Sequence, residues 1–166
     1  MGKAVEDLKA AFAGESQANR RYLAFAKAAD QEGLAQVARL FRAAAEAETV
    51  HAHNHLRAMD GIGKTAENLK EAIAGETHEF TSMYPAFIID AKADGHKKAQ
   101  QSFTWANAVE KIHAGLYQRA AEAVGQGKDM AATPIYVCSE CGNTVEGTAP
   151  EVCPVCGHRG TFKTVA

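Results

Sequence analysis

Glu48-Thr49-Val50-His51 and Glu110-Lys111-Ile112-His113 each carry a carboxylate and an imidazole three residues apart, in the middle of a long helical pattern. A helix turns about 100° per residue, so side chains at i and i+3 leave one face and can converge on one ion. Two such pairs suggest two metal ions. A single E-x-x-H has a plain alternative, a solvated helix face, but both pairs fall on stripes that ought to be apolar. Glu15, Glu76 and Glu79 add carboxylates on other helical stripes. Glu76 and Glu79 face the same way, and without a cation two like charges on an apolar face would resist burial. The four cysteines form two C-x-x-C pairs, Cys138/Cys141 and Cys153/Cys156. In a reducing compartment this spacing reads as metal binding rather than as disulfides. Four thiolates suit zinc, which would be a structural clip, or iron, which would carry one electron.

Helical periodicity supplies the elements that must position these groups. A first helix from about Ala4 to Asp30 has the stripe Val5, Leu8, Phe12, Glu15, Asn19, Tyr22 and Ala26, which Glu15 interrupts. A second carries Leu34, Val37, Phe41, Ala44, Glu48, His51 and His55, with His53 on another, solvated face. His55 lies on the stripe and receives no role. Thr65 is expected to cap a third helix, striped by Leu69, Ile73, Glu76, Phe80, Met83 and Phe87. Pro85 should kink it, because its ring excludes the hydrogen bond to the carbonyl of Thr81. After a turn at Asp94-Gly95, a fourth helix carries Phe103, Ala106, Glu110, His113, Tyr117, Ala120 and Val124 and ends near Gly125-Gln126-Gly127.

The halves repeat. Ala11-Phe12-Ala13-Gly14-Glu15-Ser16 recurs as Ala72-Ile73-Ala74-Gly75-Glu76-Thr77, and Glu48/His51 map onto Glu110/His113 after a shift of one residue. Packing a duplicated helix pair antiparallel gives a four-helix bundle with a two-fold arrangement of ligands, the set found in di-iron and di-manganese carboxylate bundles. Gly14 and Gly75 each cost about 1 kcal/mol relative to Ala inside a helix, so their recurrence before a ligand reads as a requirement for close packing.

Composition bounds the rest. The 166 residues, 46% hydrophobic, allow one sizeable core and a small appendage. A formal net charge of −2 argues against a nucleic-acid partner held by overall electrostatics. No segment approaches the length of an apolar membrane span, so no membrane partner is expected and the location expected is cytoplasmic. The division expected is a bundle over residues 1–127, a linker over 128–134 and a four-cysteine domain over 135–166.

Glu15, Glu48/His51, Glu76/Glu79 and Glu110/His113, followed by the C-terminal C-x-x-C pair, together resemble the rubrerythrin family over essentially the whole chain. The resemblance implies a mainly α protein, a ferritin-like four-helix bundle with a small C-terminal rubredoxin-like metal-binding domain. It implies a non-haem di-iron peroxidase that takes hydrogen peroxide to water in oxidative-stress defence. Glu48 and Glu110 would bridge the irons, with Glu15 terminal on the first and Glu76 and His113 terminal on the second. The first iron would exchange Glu79, when oxidised, for His51, when reduced. Tyr22 and Tyr84 match tyrosines beside the ligands, with core packing as their plain reading. Cys138, Cys141, Cys153 and Cys156 would hold a rubredoxin-type iron, with zinc as a substitute. The partners implied are an upstream electron donor, rubredoxin or a reductase, and a second copy in a homodimer. A helix of about 27 residues is about 40 Å long, so a docking partner chain is one way for the cysteine site to come near a mid-helix centre.

Charge counting gives the exchange a physical reason. Two ferrous ions are neutralised by Glu15, Glu48, Glu76 and Glu110, and neutral His51 adds nothing. Two ferric ions carry more positive charge, so the fifth carboxylate, Glu79, becomes favourable. Two other classes compete with the peroxidase. One is a ferroxidase of the iron-handling type, to which a sulfur site would contribute little. The other is a non-enzymatic contact module, which leaves seven ligands on core stripes unexplained.

Overall fold

Alanine supplies the seam of the first helix pair. The computed structural model describes residues 2–165, in two units that divide after Gly63. In the first unit, α1 (Lys3–Gln31) and α2 (Ala35–Ala58) form a hairpin. Its buried positions are Asn19, Ala26 and Ala29 on α1 and Ala38, Ala45 and Ala52 on α2. Seven-residue spacing on α2 keeps one line of small side chains against the partner helix. The larger stripe residues behave otherwise: Phe12, Tyr22 and Phe41 are half-buried, and Leu34 and Val37 are exposed. Two helices enclose only a narrow seam, which alanine fills, so bulkier side chains flank it.

In the second unit, α3 (Thr65–His78), a π-helical turn (Glu79–Met83) and α4 (Tyr84–Ala93) continue one another and pack on α5 (Lys97–Gly125). Thr65 is the first helical residue rather than the cap. Lys64 takes the cap position, and its backbone N–H donates to Glu67 Oε2 at 2.7 Å. The kink expected at Pro85 takes a particular form. Proline cannot donate to the turn before it, and the helix widens into the π turn just ahead of α4, where Pro85 occupies the first turn and needs no intrahelical partner. A π turn accommodates one extra residue. That residue accounts for the slip in the repeat, since Glu15 matches Glu76 in one register whereas Tyr22, Phe25 and Phe41 match Tyr84, Phe87 and Phe103 in the shifted one.

Beyond α5, β1 (Ile135–Cys138), β2 (Thr144–Glu146) and β3 (Phe162–Thr164) form an antiparallel sheet in the order β2-β1-β3. Val137 pairs with Thr144 on one side and Lys163 on the other. This small sheet lies along α5 of its own chain. Trp105 meets the ring of His158 edge to face at 6.0 Å. Val109 borders Gly142, His113 meets Thr144, and Arg119 pairs with Glu146 at 2.6 Å. Residues 105, 109 and 113 are one turn apart on one face. The four-cysteine domain therefore reaches α5, the helix that carries Glu110 and His113, within its own chain. Among the described residues, no helix is long and apolar enough to cross a membrane.

Candidate metal centres

Among the described residues, three groups of side chains bring ligand atoms within 4.8 Å of one another: Glu15, Glu48 and His51; Glu76, Glu110 and His113; and the four cysteines. The first belongs to the α1–α2 unit, and the second to the unit that begins at Lys64. The E-x-x-H geometry is the same in both. His51 Nδ1 lies 2.8 Å from Glu48 Oε2, and His113 Nδ1 lies 2.8 Å from Glu110 Oε2. Their settings differ. The His51 side chain is 52% exposed, whereas that of His113 is 26% exposed and tied at its far nitrogen.

That tie defines the ring's chemistry. His113 Nε2 is 2.9 Å from Thr144 Oγ1, and Thr144 Oγ1 donates to the carbonyl of Gly142 at 3.1 Å. A hydroxyl that gives its one hydrogen to Gly142 can accept from Nε2–H, the tautomer that leaves Nδ1 free to bind a metal. Nδ1 lies 2.8 Å from Glu110 Oε2 and 3.7 Å from Glu76 Oε1, contacts that a ring proton, or a cation in its place, can hold. Burial, then the neighbouring Glu110 carboxylate, raises the pKa of Glu76 above the ordinary carboxylate value, with His113 acting in the opposite direction. A divalent or trivalent metal ion fits these oxygen and nitrogen donors.

Glu79 belongs to neither triad. It opens the π turn, and its charge, after burial and the Glu110 carboxylate, contributes to raising the Tyr84 phenol. Tyr84 thus stands amid Glu110, Glu79 and Glu76. Its ring is 6.2 Å from both Phe87 and Phe103, as Tyr22 is 6.3 Å from Phe25 and 6.2 Å from Phe41. The repeat is therefore visible in the packing of its rings. His53 is exposed and His55 half-buried, and neither joins a ligand group. Gly14 and Gly75 do not make the close approach expected of them, because a Cβ on either would meet no atom within 4 Å.

Sequence periodicity put Asn19 on the α1 stripe without giving it a role, and the residue is a buried amide. Its Nδ2 donates to the carbonyl of Ala45 at 2.6 Å and to Thr49 Oγ1 at 2.8 Å, and its Oδ1 accepts from Arg20 Nε at 2.8 Å. This clamp joins α1 to α2 one turn beyond Glu15 and beside Glu48.

The cysteine group is built from two matching knuckles. Gly142 N–H donates to the carbonyl of Cys138, and Gly157 N–H to that of Cys153, both at 2.9 Å. Both glycines have positive φ, 83° and 77°, which lets each chain fold back. The thiols are free, with Sγ separations of 3.8 Å for Cys138/Cys156 and 3.5 Å for Cys141/Cys153. These lie close to the edge of a tetrahedron with metal–sulfur bonds of about 2.3 Å, and far beyond a disulfide. Burial raises the Cys138 thiol, but donation from Thr161 and from backbone N–H groups outweighs it and brings the pKa to about 6. Burial pushes Cys141 and Cys156 up, whereas Cys153 is lowered by hydrogen bonds that overcome its burial. The four sulfurs suit a tetrahedral thiolate-bound ion.

Two family patterns cover these features. Residues 6–121 match the family described as rubrerythrin, and residues 136–162 match the rubredoxin-like domain of rubrerythrin. The chain belongs to the rubrerythrin family. It is 35% identical to rubrerythrin-2 of Clostridium acetobutylicum over 90% of this chain and 89% of that one. It is 37% identical to a rubrerythrin of Porphyromonas gingivalis, covering 94% and 86%. A solved structure of nigerythrin in a mixed-valence state matches 99% of this chain and 88% of the other, with a TM-score of 0.57 and 35% identity. Rubrerythrin membership accounts for a mainly α body of four helical rods followed by a three-stranded sheet with a four-cysteine cluster.

Proposed function

We propose that this protein is a non-haem di-iron peroxidase that reduces hydrogen peroxide to water, with electrons entering through an iron held by Cys138, Cys141, Cys153 and Cys156. The observation that carries this reading is the docking of a four-thiolate site on the same helix, α5, that presents Glu110 and His113. When bound, the two helix irons would supply the electrons that split the O–O bond, and the thiolate-held iron would replace them one at a time.

In this reading Glu48 and Glu110 would be shared by two ions, Glu15 would be a ligand of the first alone, and Glu76 and His113 would be ligands of the second alone. His51 and Glu79 would serve the first ion in its two redox states. The contrast between the imidazoles supports that division: His51 is largely solvated and unanchored at Nε2 among the described residues, whereas His113 is fixed by Thr144. Glu79, on a π turn outside both triads, is the carboxylate left for the exchanging role. Burial, then the Glu110, Glu79 and Glu76 carboxylates, raise the Tyr84 phenol above its ordinary pKa, so a protonated hydroxyl would stand beside these ligands.

The domain division that follows is a helical peroxidase part over 1–127, a linker over 128–134 and an electron-entry part over 135–166. Free thiols suit a reducing, cytoplasmic setting, and the upstream donor is a rubredoxin or a reductase. The protein works as a homodimer, consistent with exposed Phe25, Leu40, Phe87 and Ile89. Iron analysis with peroxidase assay tests the proposal. About three irons per chain, with turnover of hydrogen peroxide by the reduced protein, is the expected result. Zinc alone at the cysteines, or mineral-like iron loading without peroxide turnover, would overturn it.

A further inference from the structure

We propose that Thr144 is a positioning residue that makes the backbone of the first cysteine knuckle part of the metal site on α5. The proposal rests on the reading of His113 as a metal ligand given above. The chain of contacts is short and directional. His113 Nε2 lies 2.9 Å from Thr144 Oγ1, placed to donate there once a metal holds Nδ1, and Thr144 donates onward to the carbonyl of Gly142 at 3.1 Å. Gly142 follows Cys141 directly, and its own N–H closes the knuckle on the carbonyl of Cys138. One hydroxyl therefore links a helix ligand to the loop that shapes the thiolate site.

Three consequences follow from this chemistry. Thr144 selects the tautomer of His113 that leaves Nδ1 free for a metal. It fixes the ring plane, as partners of metal-bound histidine do. It also couples two events: an ion on Nδ1 makes Nε2–H a stronger donor and tightens the hold on Thr144, and a docked knuckle preorganises His113 for the ion. That coupling is reciprocal, because both effects are parts of one free energy. The surroundings favour it. A cavity of about 280 Å³, lined by Leu69, Leu116, Met130 and Ile135 and also by Tyr117 and Glu146, adjoins both side chains. On α5, Trp105 with His158 and Arg119 with Glu146 brace the sheet on either side of His113, so the hydroxyl is delivered to the ring by a fixed surface.

The test uses the full-length protein with iron already at the cysteines and Co(II) added anaerobically as the probe of the helix ligands. Affinity is read from the cobalt absorption bands. In a parallel zinc-loaded sample, the His113 ring proton is read by nitrogen-15 NMR. Thr144→Val should bind Co(II) about 10- to 100-fold more weakly and lose the slowly exchanging Nε2–H signal, while Thr144→Ser should restore both. The four-cysteine absorption of each variant shows that the sheet has folded, and Thr144→Ala takes the place of valine should valine disturb it. Thr144→Val with wild-type affinity and a protected ring proton would overturn the proposal while leaving the di-iron reading intact. Wild-type protein that takes up no Co(II) on the helices would overturn both.

Discussion

His113 Nδ1 and Glu110 Oε2 stand 2.8 Å apart on successive turns of α5, with Glu76 Oε1 3.7 Å from the same nitrogen. Burial and Glu110 together raise the pKa of Glu76 above its ordinary value. In metal-free protein the folded state therefore holds this proton more tightly than the unfolded state does. The contribution of Glu76 to stability is then fully present below the ordinary carboxylate range and is lost as pH rises through the raised folded value. Thermal unfolding of metal-free protein against pH should show this decline, and Glu76→Gln should flatten it. Loaded metal reverses the trend, because it needs deprotonated ligands. At one hundred times its dissociation constant, a metal that binds only the folded state adds about 2.7 kcal/mol.

Removing the Asn19 clamp should loosen the α1–α2 hairpin. Asn19→Ala deletes two donations, to Ala45 O and Thr49 Oγ1, and leaves Arg20 to solvent. Thr49 still donates to Ala45 O at 3.2 Å, so the carbonyl keeps one partner. A loss of about 1–3 kcal/mol in urea unfolding is expected. An unchanged midpoint would show that the amide contributes specificity rather than stability.

Glu79 should matter to turnover more than to metal content. It opens the π turn and belongs to neither triad, so Glu79→Ala retains every residue of both. Iron content is expected to stay near that of the wild type while peroxide turnover falls by about 10-fold or more. A variant that cycles at the normal rate would contradict its proposed role as the exchanging carboxylate.

Much of this organisation could be read in the sequence because its signals are local. E-x-x-H needs only helical periodicity, and two C-x-x-C pairs need only a knuckle. The duplicated Ala-Gly-Glu segment revealed the repeat and even its one-residue slip. The origin of that slip was not legible, because Pro85 predicts a kink without saying that the helix widens at Glu79–Met83. The contacts of Asn19 and Thr144 were not legible for a different reason. Their partners, Thr49 and His113, are far away in sequence, and polarity on a stripe does not reveal what it will meet. The alanine seam was hidden by the attention periodicity gives to large apolar side chains.

Asn143 should set the potential of the thiolate-held iron. It is 1% exposed, and its Nδ2 donates to Cys153 Sγ at 3.6 Å. Hydrogen bonds to thiolate sulfur spread its negative charge and favour the reduced, more negative cluster. Asn143→Leu should therefore shift the reduction potential to a more negative value, measured by a spectroelectrochemical titration at the red absorption. A shift in the positive direction would contradict this assignment.

The most direct test of the whole account is one anaerobic visible spectrum, recorded on purified protein, after reduction, and again after one equivalent of hydrogen peroxide. The account predicts a red protein that bleaches on reduction and regains its colour with peroxide, because the thiolate-held iron is coupled to a peroxide-reactive carboxylate centre. A protein that bleaches and stays colourless after peroxide would contradict it.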